Sequence, residues 1–207
     1  MTKIIGLTGG IASGKTTVSK FLKKNKYAVH ESDTIVKKLY KNPSQRFITF
    51  LKKNNFSKSI KGRKIDKSII RDEIFNNQTK KRKLESFIHK QVKVSRNDFL
   101  KKQKRKKNKI IILDIPLLFE AKLENICDYI VLLYSPQKTR VARALKRPKM
   151  TKNILQKILK NQLSDKYKKK KSNFVINTSK TKNQTFKMIL KTFSIIIKEN
   201  AWSCSRH

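Results

Sequence analysis

Acidic residues are scarce in this chain. Its 207 residues include 13 Asp and Glu against 53 Lys and Arg, which gives a formal net charge of +40. Such an excess is typical of proteins that bind nucleic acid or an anionic membrane surface. Arginine is scarce as well, because 43 of the basic residues are lysine and only 10 are arginine, and arginine is the residue that recognises phosphates and bases bidentately. We therefore interpret most of the charge as solvated lysine faces, and keep a nucleic-acid-binding protein as the alternative from a different class.

Cysteines and long apolar runs are also few. Cys127 and Cys204 lie far apart and match no metal-ligand spacing, which is typical of a protein in a reducing compartment. No run approaches the 18 or more apolar residues of a membrane-spanning helix. The apolar start leads directly into a glycine-rich loop, so we expect no signal peptide. These features predict a cytoplasmic protein that does not enter a membrane.

Glycine is rare, yet four of the five glycines fall within the stretch GLTGGIASGKTTVS at residues 6–19. Residues 9–16, here called the phosphate loop, match the pattern G-x-x-x-x-G-K-[ST] between an apolar strand and a helix, which is the context the pattern requires. Its backbone N–H groups and the helix dipole favour phosphate oxygens. Lys15 is expected to reach the β- and γ-phosphates, and the Thr16 hydroxyl to hold Mg²⁺. The stretch predicts binding of a nucleoside triphosphate with Mg²⁺.

Apolar strands alternate with helical segments along the chain. The predicted strands lie in KIIGL, YAVHESD, KIIILDIPLLF, CDYIVLLYSP and NFVINTS. This alternation predicts an α/β fold with a parallel sheet of about five strands and helices on both faces. We expect a single domain over residues 1–207, whose core comprises about 1–33, 109–136 and 172–200. A helical, very basic insertion at about 34–108 and a helical segment at about 137–171 would complete it.

Two aspartates are predicted at strand ends, where ligands of such sheets bind. Asp33 ends the second predicted strand, so it could accept a proton from an acceptor hydroxyl; it could equally cap the helix that follows. Asp114 lies in KIIILDIPLLF, which has the clearest strand pattern in the sequence. It could hold Mg²⁺ through water, or it could be a buried carboxylate that only satisfies backbone donors.

Arg143 and Arg147 lie four residues apart, a spacing that places two side chains on one helix face. Arginines on a mobile segment can close over a triphosphate and neutralise its charge in the transition state. A solvated basic helix is the alternative.

His89 falls on a helical pattern beside Phe87 and Ile88, where a lone histidine usually has a structural role. The lysine runs KKQKRKKNK and KYKKKKS are expected to be solvated.

The order of these motifs resembles the dephospho-CoA kinase family. The matching segments are LTGGIASGKTTVS, ESDTIVKKLY, IIRDEIF, LDIPLLFE, RALKRPKMTKNILQKILKNQ and FVINTS. They span about residues 1 to 180, and their order is much more specific than the phosphate loop alone. The resemblance implies a P-loop kinase-like, three-layer α/β/α fold. It also implies ATP-dependent phosphorylation of the ribose 3′-hydroxyl of 3′-dephospho-CoA, by a cytoplasmic monomer that requires Mg²⁺ and has no specific nucleic-acid partner.

The resemblance also assigns roles to residues. The ATP-binding residues would be Ala12, Ser13, Gly14, Lys15, Thr16 and Thr17. Asp33 would be the base on the 3′-hydroxyl, with Arg143 and Arg147 as lid groups on the phosphates. The segment at about 34–108 would form much of the acceptor-binding region. The runner-up among enzymes is another small P-loop kinase acting on a metabolite or a nucleotide.

Overall fold

Strands and helices alternate along the chain. The computed structural model describes residues 1–62, 64–75 and 77–203, the last five of them by their backbone alone. The strands are β1 (Lys3–Thr8), β2 (Ala28–Glu31), β3 (Ile60–Lys61), β4 (Lys64–Ile65), β5 (Ile110–Asp114), β6 (Tyr129–Tyr134) and β7 (Phe174–Asn177). The helices are α1 (Lys15–Lys24), α2 (Ser32–Lys41), α3 (Gln45–Lys53), α4 (Lys67–Phe75), α5 (Gln78–Arg105), α6 (Gln137–Leu145), α7 (Lys152–Lys160), α8 (Asp165–Lys171) and α9 (Lys182–Ser203). They form two compact units, one of residues 1–31 and 102 onward, the other of residues 32–101.

The first unit contains a five-stranded sheet with the strand order β2-β5-β1-β6-β7. Each neighbouring pair of strands is parallel. Strand β5, with the sequence IIILD, is buried along its whole length, as expected of a parallel strand covered on both faces. The predicted α/β fold with about five parallel strands is therefore confirmed.

Helices α1 and α9 cover one face of this sheet. Their apolar side chains form one buried cluster with inward-facing residues of the strands, and Phe21 of α1 stacks on Phe186 of α9 with ring centroids 3.9 Å apart. Helix α8 packs against β6. Although α9 carries the run SIIIK, no helix that the structure describes has the length and apolar content needed to cross a bilayer.

The carboxyl ends of the strands lie in register at one edge of the sheet. Asp114, the last residue of β5, pairs with Leu7 of β1 and with Glu31 of β2. Strand β2 ends at Glu31, and Asp33 is the second residue of helix α2. The prediction that Asp33 ends this strand was therefore wrong by two residues, because α2 begins directly after the strand with no intervening loop.

The second unit is mainly helical and has its own apolar core. Its fully buried side chains include Phe47, Leu51 and Phe56. Gly62, with φ +60°, forms the turn between the short antiparallel strands β3 and β4. Asp66 accepts hydrogen bonds from the hydroxyl and N–H of Ser68 at the start of α4, and from Lys61. These bonds, that of the Ser68 hydroxyl above all, hold the pKa of Asp66 well below its usual range.

Candidate active site

The phosphate loop connects β1 to α1. The N–H of Ser13 donates to the carbonyl of Gly10 at 3.1 Å and closes a tight turn, after which α1 begins at Lys15. The N–H groups of Gly14, Lys15 and Thr16 donate to no acceptor among the described residues. The first N–H groups of a helix have no partner within the helix and attract anions. The loop therefore presents a set of backbone donors at the carboxyl end of the sheet.

The glycines of this loop are required by space and by backbone conformation. A Cβ atom on Gly9 would lie 2.5 Å from both the carbonyl oxygen of Leu133 and the hydroxyl of Ser13, a separation that real Cβ atoms do not show. Gly14 has φ +84°, a backbone conformation that favours glycine. Ala12 also has a positive φ, +58°, which is unfavourable for a residue with a side chain. The loop thus holds a strained conformation that its sequence alone would not favour.

Lys15 and Asp114 form an ion pair at the start of α1. The Lys15 Nζ lies 3.0 Å from Asp114 Oδ1, and Ser19 donates its hydroxyl to Asp114 Oδ2 at 2.5 Å. Asp114 is 6% exposed, and its Oδ1 has no partner with hydrogen-bond geometry. The two findings agree if the Lys15 contact is a charge contact rather than a directed hydrogen bond. Asp114 Oδ1 therefore contacts the Lys15 ammonium next to the phosphate loop but accepts no directed hydrogen bond.

The donor set around Thr16 suits a magnesium ion bound together with a nucleotide. Thr16 and Thr17 are exposed at the start of α1, and the Asp114 carboxylate lies at the neighbouring strand end. Hydroxyl and carboxylate oxygens are ligands that Mg²⁺ accepts. Among the residues that the structure describes, no group of three or more His, Cys, Asp or Glu could hold a metal ion. A cation here would thus need oxygens from its nucleotide, as Mg²⁺ usually does.

The structure separates the two arginines that were expected to act as a pair. Helix α6 ends at Leu145, so Arg143 lies on the helix and Arg147 lies beyond it. The prediction of one shared helix face was wrong, because the helix is a half turn too short. Arg143 is half-buried and donates to the carbonyl of Thr178 at 3.0 Å. Arg147 is exposed.

Helix α6 carries a second arginine, Arg140, which was not predicted as a site residue. It is 4% exposed and lies against Gly10 of the phosphate loop. Its Nε donates to the carbonyl of Ser135 at 2.9 Å, and its Nη2 pairs with Asp165 at 2.5 Å. No local signal distinguishes Arg140 from the basic residues around it, because its partner Asp165 is 25 residues away in sequence.

Glu120, in the motif DIPLLFE, pairs with Lys168. The Lys168 Nζ lies 2.7 Å from Glu120 Oε1, and the lysine side chain is 1% exposed. The expectation that the KYKKKKS run is solvated was therefore wrong for Lys168, although its neighbours in α8 are exposed. A buried lysine requires a counter-charge, and Glu120 supplies it from a different part of the chain.

The remaining predicted residues lie in the second unit. Asp33 is exposed in the first turn of α2, and His89 is exposed on α5.

A cavity of about 440 Å³ opens between α3 and α5 of the second unit. It is lined by Phe50, Phe87, Ser86 and three basic residues, Arg82, Lys83 and Lys90. The rings of Phe50 and Phe87 are stacked with centroids 4.3 Å apart. This surface combines aromatic faces with positive charge.

The parallel sheet and the loop that joins its central strand to α1 define a P-loop kinase fold. The family model of dephospho-CoA kinase matches residues 3–184. The chain therefore belongs to the dephospho-CoA kinase family, as its motifs predicted.

Individual relatives agree with this assignment. The chain is 36% identical over 189 residues to the dephospho-CoA kinase of Fusobacterium nucleatum, which covers 90% of this chain and 94% of the relative. It is 32% identical over 196 residues to that of Bartonella quintana, with coverage of 95% and 99%. The solved dephospho-CoA kinase structure from Campylobacter jejuni is similar in fold, with a TM-score of 0.72 at 23% identity, covering 97% of this chain and 100% of that one. The family match and these relatives favour neither of the two alternatives, a nucleic-acid-binding protein or a P-loop kinase of another specificity.

Proposed function

We propose that this protein transfers the γ-phosphate of ATP to the ribose 3′-hydroxyl of 3′-dephospho-CoA and releases coenzyme A and ADP. The observation that carries the proposal is the phosphate loop, whose N–H groups at Gly14, Lys15 and Thr16 donate to no acceptor among the described residues and whose Lys15 lies beside Asp114, in a chain of this family. Phosphoryl transfer needs positioning and charge stabilisation more than covalent chemistry. The loop provides both for the phosphates of ATP.

The donor side is formed by Ala12, Ser13, Gly14, Lys15, Thr16 and Thr17. Backbone N–H groups at the start of α1 would bind the phosphate oxygens, and Lys15 would stabilise the negative charge on the β- and γ-phosphates. In the structure the Lys15 ammonium lies 3.0 Å from Asp114. Because an ammonium has three N–H donors, the phosphates of ATP would join or replace this carboxylate as its partner.

Thr16 and Asp114 would hold Mg²⁺, with Asp114 acting through water. The fit rests on Asp114 Oδ1, which accepts no directed hydrogen bond, and on the hydroxyl of Thr16, an exposed residue. When bound, the ion would neutralise part of the phosphate charge. Ser19 would keep the carboxylate oriented through its 2.5 Å hydrogen bond.

Asp33 would be the general base that accepts the proton of the 3′-hydroxyl. It is exposed and follows the end of β2 by two residues. Among the described side chains none forms an ion pair with Asp33, and a carboxylate without such a partner can take a proton as the hydroxyl attacks. The segment at about 34–108 would bind the acceptor, and the cavity beside Phe50 and Phe87 offers aromatic and cationic contacts that suit a phosphorylated, partly apolar molecule.

The segment at about 137–171 would be the lid, with Arg143 and Arg147 directed to the phosphates. The rest of the chain, about 1–33, 109–136 and 172–200, would be the core of a single kinase domain. Both substrates are small molecules, so the proposed reaction requires neither a nucleic acid nor a second copy of the chain. A cytoplasmic monomer is the simplest form in which it would act.

A coupled ADP-release assay across four acceptors tests this proposal. The acceptors are 3′-dephospho-CoA, adenosine, shikimate and gluconate, each with ATP and Mg²⁺. We expect turnover with 3′-dephospho-CoA alone, and a product that carries its new phosphate on the ribose 3′-oxygen by mass spectrometry. Turnover confined to one of the other three acceptors would overturn the proposal.

A further inference from the structure

We propose that Gln162 is a positioning residue for the phosphate loop, acting on nucleotide binding through the backbone of Ile11. The N–H of Ile11 donates to Gln162 Oε1 at 3.2 Å, although the two residues are 151 positions apart in sequence. Gln162 lies in the connection between α7 and α8. The proposal rests on the proposed ATP binding and adds a residue outside the loop motif to it.

The phosphate loop needs support from outside because its backbone is strained. Ala12 has φ +58°, and non-glycine residues keep such a conformation only where their surroundings fix it. Part of that support is apolar, since Ala12 is 8% exposed and packs in one cluster with Ala144 of α6 and Leu155 of α7. The hydrogen bond to the Ile11 N–H fixes the Gly10–Ile11 peptide, one peptide unit before the one that enters the strained Ala12.

Gln162 is itself held in place on its C-terminal side. The next residue, Leu163, donates its N–H to Glu120 Oε1 at 3.0 Å, and Glu120 is bound by the buried Lys168. Beyond it, Asp165 pairs with Arg140, which lies against Gly10. Two ion pairs therefore fix the connection that presents the Gln162 side chain to the loop.

The N–H groups of the phosphate loop therefore fall into two sets, one bonded within the protein and one available to a ligand. The N–H of Ile11 is committed to Gln162, whereas those of Gly14, Lys15 and Thr16 meet no described acceptor. Gln162 thus acts on the shape of the loop rather than on the phosphates. Replacement of Gln162 should therefore weaken the binding of nucleotide and leave the binding of 3′-dephospho-CoA unchanged.

Nucleotide binding by the full chain, measured by calorimetry with a non-hydrolysable ATP analogue and Mg²⁺, tests the inference. Gln162→Leu removes the acceptor oxygen, so we expect the Kd of the analogue to rise about fivefold to twentyfold. The KM for 3′-dephospho-CoA and kcat at saturating ATP should stay within about twofold. Hydrogen exchange at the Ile11 amide should speed up in the nucleotide-free protein, because this N–H loses its partner.

Two further variants keep the test decisive. Gln156→Leu makes the same change at an exposed position of α7 and should leave the Kd unchanged. Gln162→Glu retains an acceptor oxygen and should keep the Ile11 amide protected. A Gln162→Leu protein that binds the analogue like wild type, or one whose acceptor KM rises as much as its nucleotide Kd, would overturn the inference. Wild-type protein that does not bind the analogue would instead contradict the proposed function.

Discussion

The ammonium of Lys15 lies 3.0 Å from the carboxylate of Asp114, with both side chains largely buried. The lysine belongs to the phosphate loop, and the aspartate ends the neighbouring strand β5. A buried lysine without a counter-ion is costly, so Asp114 supplies the negative charge that the γ-phosphate of ATP would later provide. The pair therefore holds the Lys15 ammonium beside the phosphate loop, where the proposed reaction needs it.

Replacement of Lys15 tests the role of this cation. We expect Lys15→Ala to lower kcat by at least about 10²–10³-fold, because one preorganised charge at the transferred phosphate is lost. It should also lower the free energy of unfolding by about 1–3 kcal/mol, because Asp114 loses its partner. ADP release and thermal denaturation measure the two effects. Lys15→Arg, which keeps the charge, should recover most of the stability; normal turnover of the alanine variant would exclude the proposed role.

Replacement of Asp33 tests the proposed general base. We expect Asp33→Asn to lower kcat by about 10²–10⁴-fold while the Kd for ATP stays unchanged, because the amide cannot take the proton of the acceptor hydroxyl. Single-turnover phosphorylation and nucleotide titration measure the two quantities. Asp72→Asn removes an exposed carboxylate from the same unit and serves as the control. Near-normal turnover of the Asp33 variant would remove this residue from the mechanism.

The sequence predicts the parts of the molecule that depend on local pattern. Strand β5 is an unbroken apolar run because both of its faces are buried, and the phosphate loop is recognisable because its function requires glycine and lysine at fixed spacing. The end of β2 was less predictable. The residues of ESD suit either a strand end or the first turn of a helix, and the chain passes directly from β2 to α2.

Charged residues that are buried by distant partners could not be predicted. Lys168 stands in a run of lysines and differs from its neighbours only because Glu120 lies 2.7 Å from it in the fold. Arg140 is buried for the same reason, through Asp165. A single sequence shows which residues are charged, but it does not show which of them form ion pairs in the fold. Because burial of a charge depends on such a partner, the buried positions could not be recognised.

Substitutions of Ala12 test whether the strained loop controls nucleotide affinity. Ala12→Val places a β-branched side chain at φ +58° in a buried position, where such a residue is strongly disfavoured. We expect its Kd for ATP to rise at least about tenfold, because strain of about 1–2 kcal/mol or more displaces the loop. Ala12→Gly, which accepts this conformation without strain, should bind ATP at least as well as wild type. Equal affinities for all three proteins would show that the strain is irrelevant to binding.

The two arginines of the proposed lid should differ in their effect on stability. Arg143→Ala removes a donor from the carbonyl of Thr178, so we expect a lower Tm as well as a lower kcat. Arg147 is exposed, so Arg147→Ala should lower kcat about tenfold or more with an unchanged Tm, if it reaches the phosphates. Lys146→Ala, between them and also exposed, is the control for loss of charge. An unchanged kcat in both arginine variants would remove these two residues from the proposed reaction.

The net charge of +40 predicts a weak, non-specific affinity for polyanions that is separate from the proposed kinase reaction. The run KKQKRKKNK at residues 101–109 contains no aromatic residue. Because aromatic side chains are needed to stack on bases, any RNA binding by this run should be electrostatic. Such binding should therefore fall steeply with salt and be lost by about 200 mM. Fluorescence anisotropy with two single-stranded RNAs of different sequence, from about 25 to 200 mM salt, measures this. We expect equal affinities for the two RNAs at each salt concentration; binding that resists salt and distinguishes their sequences would show that the lysine surface is a specific site.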